Sequence, residues 1–335
     1  MGLTYRESGV DIDKGERFVE LIKEKLRDAE RHNIGGFGGM FDLGSLNIRH
    51  PVLVASTDGV GTKLLIAKQA RDYTTIGVDL VAMCVNDVVC SGARPLFFLD
   101  YLATSHLDVD EAGQVMEGIV EGCRRAGCTL LGGETAEMPG VYKRGDYELA
   151  GFSCGIVERE MIIDTKRISE GDLLIGICSS GIHANGLSLA RKALFEKGGY
   201  RIQDELPDLG RSIATELLEP TRIYVPLVLE VTAGITVRGI AHITGGGLYG
   251  NVHRLLPHGL DLDIGWDALT PQPIFGLIQN AGGIGDEEMR RTFNLGVGLV
   301  FVVEKELRDK ATGILRELGE QPAVVGTVVQ AGKKK

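Results

Sequence analysis

Hydrophobic residues recur at helical spacing in two segments of the first half of the chain. In residues 15–31 they fall on one face, and charged side chains occupy the other. This pattern predicts an amphipathic helix. The next segment, residues 33–40, is too rich in glycine for a helix or a regular strand. Residues 108–126 repeat the helical period, and Asp108 at their start predicts a helix N-cap.

Short apolar runs between these segments predict strands. They cover residues 51–56, 96–99, 128–131 and 148–157, and a longer apolar run over 77–92 predicts a buried helix. The first strand runs into a polar loop at residues 57–63, and the third runs into a loop of glycines and acids at 132–137. Strands that alternate with helices indicate an α/β (α+β) fold.

The alternation of strand and helix begins again near residues 169–172. Patterns there predict a strand over 173–177, a helix after Asn185, a helix over about 224–233 and a strand over 240–243. A chain of 335 residues is long enough for two domains of about 150 residues each. We therefore expect an N-terminal domain over residues 1–160 and a C-terminal domain over residues 161–335.

Composition narrows the class of protein. The formal net charge of −10 argues against a protein that coats nucleic acid. The longest apolar run, Leu295–Val303, has nine residues, whereas a membrane helix needs about 18. The first seven residues contain no apolar signal core. The six cysteines form no Cys-x-x-Cys pair, and we expect buried thiols in a reducing compartment. The sequence thus predicts a cytoplasmic protein without nucleic-acid or membrane partners.

Three acidic residues stand in similar local contexts. Asp58 and Glu134 each follow a predicted strand, and Asp87 lies inside the predicted apolar helix. A buried carboxylate is costly unless it is paired or binds a cation, and Mg²⁺ prefers oxygen ligands. The alternative is that each acid caps a helix or pairs with an arginine, and sequence spacing does not decide between these interpretations.

Glycine clusters lie beside these acids and elsewhere. They occur at residues 35–39, at Gly59 and Gly61, at 132–133 and at 245–247. Backbone N–H groups in such turns can bind phosphate. Neither a Walker A sequence nor a Gly-x-Gly-x-x-Gly that opens a helix occurs in the chain, so the common P-loop and Rossmann interpretations fail. Each cluster alone is equally compatible with an ordinary turn.

Two histidines and two lysines complete the candidate residues. His183 lies at a predicted strand-to-helix junction, where it either serves the site or caps the helix. His242 precedes the cluster at 245–247 but sits in an apolar run, which favours a core histidine. Lys23 and Lys63 are candidate phosphate ligands, although a solvated helix face explains Lys23 equally well.

Several of these segments together resemble one known family. They read Ser56-Thr57-Asp58-Gly59-Val60-Gly61-Thr62-Lys63, Ala82-Met83-Cys84-Val85-Asn86-Asp87, Gly132-Gly133-Glu134-Thr135-Ala136-Glu137 and His242-Ile243-Thr244-Gly245-Gly246-Gly247. In this order they resemble the phosphoribosylformylglycinamidine cyclo-ligase (aminoimidazole ribonucleotide synthetase) family. Further matches run from residue 9 to about residue 300, so the resemblance covers nearly the whole chain.

The resemblance implies an ATP-dependent ring closure in purine biosynthesis. Formylglycinamidine ribonucleotide and ATP would give aminoimidazole ribonucleotide, ADP and phosphate, by way of a phosphorylated amide oxygen. This chemistry requires positioning, Mg²⁺ and a dry cleft more than a covalent nucleophile. The resemblance also implies a two-domain fold in which the N-terminal sheets of a homodimer pair into a shared barrel.

The resemblance assigns roles to individual residues. Asp58, Asp87 and Glu134 would bind the metal, and Lys23, His183 and Asn185 would act catalytically at the nucleotide and substrate. The ATP-binding residues would be Gly35, Gly36, Asp58, Gly59, Thr62, Lys63, Asp87, Gly133, Glu134, Gly245 and Gly246. Two alternatives remain at this point: another ATP-using member of the same superfamily, such as a selenophosphate synthetase, thiamine-monophosphate kinase or formylglycinamidine ribonucleotide amidotransferase, and a non-catalytic nucleotide-binding partner.

Overall fold

A computed structural model of the chain describes residues 3–26 and 36–332. Its N-terminal half contains a four-stranded sheet in the order β1-β4-β2-β3, with bounds β1 (Pro51–Gly59), β2 (Arg94–Thr104), β3 (Thr129–Glu137) and β4 (Tyr147–Glu158). β4 pairs antiparallel with β1 and β2, while β2 and β3 are parallel. The parallel pair requires a crossover connection, and a helix provides it.

Within the described residues, four α-helices belong to this half: α1 (Ile12–Lys25), α2 (Lys63–Ala70), α3 (Ile76–Val89) and α4 (Val109–Ala126). Asp108 caps α4 as predicted, because its side chain accepts hydrogen bonds from the amides of Asp110 and Glu111. α3 packs closely on α4. A Cβ at Gly77 would stand 2.2 Å from the carbonyl oxygen of Val115, so only glycine permits this approach. Both helices cover one face of the sheet, and on the other face the ring of Phe41 packs against Phe97.

The C-terminal half contains a five-stranded antiparallel sheet in the order β8-β10-β5-β11-β9. In chain order its elements are β5 (Leu173–Cys178), α5 (Leu187–Arg191, continued by a π-helical turn over Lys192–Lys197), β6 (Glu205–Leu206), β7 (Arg211–Ser212), α6 (Ile213–Leu217), α7 (Val225–Gly234), β8 (Gly239–His242), α8 (Gly247–His253), β9 (Leu260–Ile264), α9 (Pro273–Gly282), α10 (Asp286–Thr292), β10 (Val297–Val303), α11 (Arg308–Glu317) and β11 (Ala323–Gln330). The predicted mixed α/β architecture is confirmed. The two sheets use separate stretches of chain, and the division at residues 160 and 161 stays a prediction.

Two strands run further than their apolar patterns predicted. β1 continues through Asp58 to Gly59, and β3 continues through Gly133 to Glu137. The predicted loops at these positions are therefore wrong. Backbone pairing with β4 and β2 persists there, because hydrogen bonds of the ladder do not depend on side-chain polarity.

Two other expectations also need correction. The first helix ends at Lys25, because Leu26 is extended with ψ of 152°, so the predicted helix does not continue unbroken through residue 26. Residues 27–31 of that prediction lie outside the described residues. The six cysteines, all within the described residues, are free thiols, but Cys178 is exposed rather than buried. None of the helices in residues 3–26 and 36–332 is long and apolar enough to cross a membrane.

Candidate functional site

Two carboxylates and one histidine lie near one another where the two halves of the chain come together. Asp58 lies at the end of β1, Asp87 lies in the last turn of α3, and His242 ends β8. The His242 Nδ1 atom is 3.0 Å from Asp87 Oδ1. Burial raises the pKa of Asp58, the Gly59 amide lowers it, and the charge of Asp87 raises it further. The two carboxylates therefore lie close enough to repel each other.

This pair fits a divalent cation. Two neighbouring carboxylates destabilise each other's charge unless a cation or proton offsets it, and hard oxygen donors are the ligands that Mg²⁺ prefers. The Asp87 side chain is 46% exposed, so a ligand can reach it from solvent. Of the three predicted metal ligands, the structure thus brings Asp58 and Asp87 together.

Glu134, the third predicted metal ligand, lies apart from Asp58 and Asp87 in the fold. Its strand β3 is three strand positions from β1, which corresponds to roughly 14 Å at about 4.8 Å per strand. In the register of the sheet, Glu134 lies opposite Tyr101. Asp58 lies opposite Gly151, which lies opposite Asp100, so Asp58 and Glu134 belong to rows that are one residue apart along the strands. Because side chains alternate along strands, Glu134 faces the side opposite Asp58. The prediction that the three acids converge within one chain is not supported by this geometry.

Small and polar residues of the C-terminal half surround the carboxylate pair. Asn185 donates a hydrogen bond from Nδ2 to the sulfur of Met83, one helical turn before Asp87. A Cβ at Gly245 would be 3.5 Å from Asn185 Oδ1. Gly246 has a φ of +100°, which a side chain rarely adopts, and both glycines are exposed. Asn185 and the two glycines therefore border the same cleft as Asp87.

The loop after β1 also contacts the C-terminal half. Gly59 donates its amide to Asp58 Oδ1 at 2.7 Å, which orients that carboxylate. The Thr62 hydroxyl is 3.0 Å from the Ser188 hydroxyl of α5. The loop therefore spans the cleft between the halves.

Lys63 has a different position from the one predicted for a phosphate ligand. Its side chain is fully buried, its Nζ is 2.8 Å from Asp79 Oδ2, and it donates a 2.7 Å hydrogen bond to the Glu219 carbonyl. Removing this ammonium from Asp79 would leave a buried carboxylate unpaired. A phosphate contact by Lys63 therefore conflicts with the structure, and we do not include this lysine among the proposed nucleotide ligands.

His183 is buried and does not cap a helix. Gly186 stands at the N-cap of α5, and His183 has a φ of +65°, a strained value for a non-glycine residue. Its Nε2 accepts a 3.2 Å hydrogen bond from the Ser180 amide, and its Nδ1 has no hydrogen-bond partner within the described residues. Burial lowers the pKa of His183 well below its usual value, as do the charges of His242, Lys63 and Arg222. The ring is therefore neutral at pH 7.

The N-terminal candidates lie at the edge of the described structure. Lys23 is in the last turns of α1, partly exposed, with its Nζ 2.8 Å from Glu20. Gly36 is exposed, and Gly35 lies outside the described residues. Lys23 remains a predicted nucleotide ligand, since an exposed ion pair of this kind is weak and easily exchanged.

Asp100 is a buried carboxyl that the sequence patterns did not single out. Gly133 makes room for it, because a Cβ there would be 2.2 Å from Asp100 Oδ1. Burial raises the pKa of Asp100 to about 7, and the charge of Glu134 contributes in the same direction. The sequence does contain a signal for Asp100, because side chains alternate along β2 and its neighbours on the same face, Phe98 and Leu102, are buried.

Replacing Asp100 by asparagine should stabilise the protein increasingly as the pH rises. The wild-type carboxyl ionises near its usual value of 3.8 in the unfolded chain but near pH 7 in the folded one. The free energy of unfolding of the wild type therefore falls as the pH rises from about 4 to 7, by up to about 1.4 kcal/mol for each unit by which the two pKa values differ. Asparagine mimics the protonated carboxyl at every pH.

We expect the Tm difference between Asp100→Asn and wild type to increase from pH 5 to pH 8. The exposed Asp309→Asn serves as the charge-matched control and should show no such increase. A pH-independent difference for Asp100→Asn would show that Asp100 titrates normally in the folded protein.

The fold and the cleft define a two-domain α/β protein with a carboxylate pair between its halves. The family model of the AIR synthase related protein, N-terminal domain, matches residues 42–157, and that of the C-terminal domain matches residues 169–335. The chain belongs to this family, and the resemblance noted from its motifs is confirmed.

Curated relatives extend over nearly the whole chain. A phosphoribosylformylglycinamidine cyclo-ligase of Alkaliphilus metalliredigens is 47% identical and covers 99% of this chain and 97% of the relative. The same-named protein of Geobacter metallireducens is 52% identical over 98% and 96%. Among solved structures, E. coli HypE, a hydrogenase maturation protein, aligns with a TM-score of 0.68 at 20% identity, over 94% of this chain and 91% of that chain. HypE in complex with ATP aligns with a TM-score of 0.64 at 20% identity, over 95% and 87%.

Proposed function

We propose that the chain is an ATP-dependent cyclo-ligase that converts formylglycinamidine ribonucleotide into aminoimidazole ribonucleotide, ADP and phosphate in purine biosynthesis. The observation that carries this proposal is the position of Asp87, close enough to Asp58 to raise its pKa, beside Asn185, Gly245 and Gly246. Its relatives of about 50% identity carry the cyclo-ligase name. The free thiols of the cysteines support a reducing, cytoplasmic compartment for this enzyme.

The reaction transfers a phosphoryl group and then closes a ring. The formyl oxygen forms a bond to the γ-phosphorus of ATP as the bond to ADP breaks. An amidine nitrogen then forms a bond to the activated carbon, and phosphate leaves with the former formyl oxygen. The protein needs to align these atoms and exclude water, since positioning supplies much of the catalysis in such steps.

Different residues of the cleft have different roles in this reaction. Asp58 and Asp87 would hold Mg²⁺, which when bound offsets the charge of the ATP phosphates. Gly245 and Gly246 permit close approach of the phosphates to the backbone, because neither has a side chain. Asn185 offers an amide that can orient the substrate from the C-terminal half. A neutral His183 whose Nε2 accepts from the Ser180 amide carries its hydrogen on Nδ1, and it can donate a hydrogen bond from that atom.

We further propose that two copies of the chain pair through the outer face of the N-terminal sheet, the face opposite α3 and α4. Four residues support this interface: Leu53, Tyr101 and Phe152, which are 58%, 40% and 37% exposed, and Phe97, which is partly exposed. The strand register places them all on that face. A contiguous apolar face of this kind is unusual for a monomer. Glu134 lies on the same face beside Tyr101, near the proposed interface.

Sedimentation at micromolar concentration should therefore show about twice the chain mass of 36.1 kDa. Replacing Phe152 by glutamate should shift the protein toward the monomer, because it places a charge in an apolar interface. The exposed Met161→Glu, outside that face, should leave the mass unchanged. A monomeric wild type, or a Phe152→Glu variant that remains fully dimeric, would contradict the proposed interface.

A steady-state assay tests the proposed activity. The purified chain, ATP, Mg²⁺ and synthetic formylglycinamidine ribonucleotide should yield aminoimidazole ribonucleotide and ADP in equal amounts. ADP formation without cyclised product would overturn the proposal. The same would follow if thiamine monophosphate or selenide, and not the amidine, stimulated ATP turnover.

A further inference from the structure

One short segment of the C-terminal half is held on one side by buried side chains of the N-terminal half. We name residues 219–224, between α6 and α7, the bridging segment. The Glu219 carbonyl accepts from Lys63, and the amide and hydroxyl of Thr221 donate to Asp79 Oδ1 at 2.7 and 2.6 Å. The side chains of Lys63 and Asp79 are both fully buried. These contacts fix the position of the bridging segment on the N-terminal half.

Asn86 holds the other end of the bridging segment. Its Nδ2 donates to the Arg222 carbonyl, and its Oδ1 accepts from the Tyr224 amide, each at 2.8 Å. Asp79 and Asn86 are seven residues apart on α3, which places them on one face two turns from each other. The bridging segment therefore lies along α3 over about 10 Å, at about 1.5 Å per residue. The next residue of this helix is Asp87.

The opposite side of the bridging segment holds the loop of His183. The Ser180 hydroxyl donates to the Pro220 carbonyl at 2.6 Å, and the Ser180 amide donates to His183. The Tyr224 hydroxyl donates to the Cys178 carbonyl at 2.8 Å, just before this loop. The bridging segment thus connects the helix that carries Asp87 with the loop that carries His183.

We propose that Thr221 is a positioning residue of the site. Its hydroxyl bond to Asp79 sets the bridging segment on α3, and through Ser180 it sets the distance between His183 and Asp87. Thr221 is 1% exposed and is buried against Asp79, so it acts through other residues and not on the substrate. This inference deepens the proposed cyclo-ligase function and rests on it for its kinetic consequence, while its structural consequence can be measured without turnover.

Thr221→Val provides the sharpest test, because valine keeps the shape and the backbone N–H bond but loses the hydroxyl. Thr221→Ser keeps the hydroxyl and should rescue the function. Thr312→Val is the matched control, since Thr312 is also buried, lies in α11, and donates its hydroxyl to a backbone carbonyl. All three variants are studied in the full chain, with melting temperatures measured on the same preparations.

We expect kcat of Thr221→Val to fall by about tenfold or more, since small displacements of aligned groups have large kinetic effects. KM for ATP should change much less, because the carboxylate pair stays on its own half. Thr221→Ser should stay within a few-fold of wild type, and Thr312→Val should match wild type. A wild-type kcat for Thr221→Val, or an equal loss in Thr312→Val, would overturn the positioning role.

Hydrogen exchange supplies a readout that does not need activity. Amides of residues 179–186 should exchange faster in Thr221→Val than in wild type or Thr312→Val. Ser180→Ala removes the hydroxyl on the other side of the same connection, at a partly exposed residue. It should therefore speed amide exchange over residues 179–186 in the same way, even if Thr221→Val folds poorly. Unchanged exchange there would refute the proposal, whereas absent cyclisation by the wild type would refute the proposed function alone.

Discussion

Replacing Asp87 by asparagine should lower kcat by about 10²-fold or more while the protein stays folded. Asparagine is nearly isosteric, so packing of α3 is retained, but one of the two charges that would hold Mg²⁺ is lost. Removal of a single electrostatic group aimed at transition-state charge typically costs about 10² to 10³ in rate. The measurement is kcat across a Mg²⁺ titration, together with the melting temperature with and without Mg²⁺.

Asp309→Asn is the matched control for Asp87→Asn, since it removes one exposed carboxylate in the first turn of α11. It should keep the wild-type kcat and the wild-type response to Mg²⁺. An Asp87→Asn enzyme that turned over at the wild-type rate at every Mg²⁺ concentration would remove Asp87 from the metal site. If Mg²⁺ raised the melting temperature of the Asp87→Asn variant as much as that of the wild type, the same conclusion would follow.

Replacing His183 by asparagine should reduce kcat/KM by about 10²-fold or more, the scale of a positioned acid–base group. Asparagine tolerates the left-handed backbone of this position better than most residues, so backbone strain does not increase. It cannot reproduce the reach of the imidazole or its two ring nitrogens. Because burial keeps His183 neutral, its loss should reduce kcat/KM equally at pH 6.5 and pH 8.

His258→Asn is the control for this substitution, because His258 is exposed and lies in the connection between α8 and β9. Both variants are measured for melting temperature and kcat/KM on one preparation. Unchanged kcat/KM in His183→Asn at a retained melting temperature would exclude the histidine from the site and leave it a buried structural residue.

The sequence predicted the parts of the site that depend on local chemistry. Asp58 and Asp87 stood out because acids beside or within apolar segments require a partner, and the structure brings both to one cleft. Asn185 and the glycines at 245 and 246 were found through the family resemblance, and they border that cleft. The family resemblance also predicted the two-domain α/β fold.

The sequence could not predict which polar groups satisfy one another across the halves. Lys63 follows a phosphate-like loop, yet its ammonium is used by Asp79 and the Glu219 carbonyl, which are 16 and 156 residues away. Glu134 follows two glycines in a strand, but the sheet order separates it from Asp58. His242 was expected to be a core histidine, and it is buried, but its apolar run gave no sign that its ring would contact Asp87. Such pairings depend on tertiary packing, for which spacing along one chain gives no signal.

The most direct test of the central claim follows the formyl oxygen. Formylglycinamidine ribonucleotide labelled with ¹⁸O in the formyl group is converted with unlabelled ATP in ordinary water, and the released phosphate is analysed by mass spectrometry. Phosphorylation of that oxygen predicts one ¹⁸O atom in each phosphate formed per aminoimidazole ribonucleotide. Unlabelled phosphate would mean that ATP is hydrolysed without activating the formyl group, and would contradict the proposed mechanism.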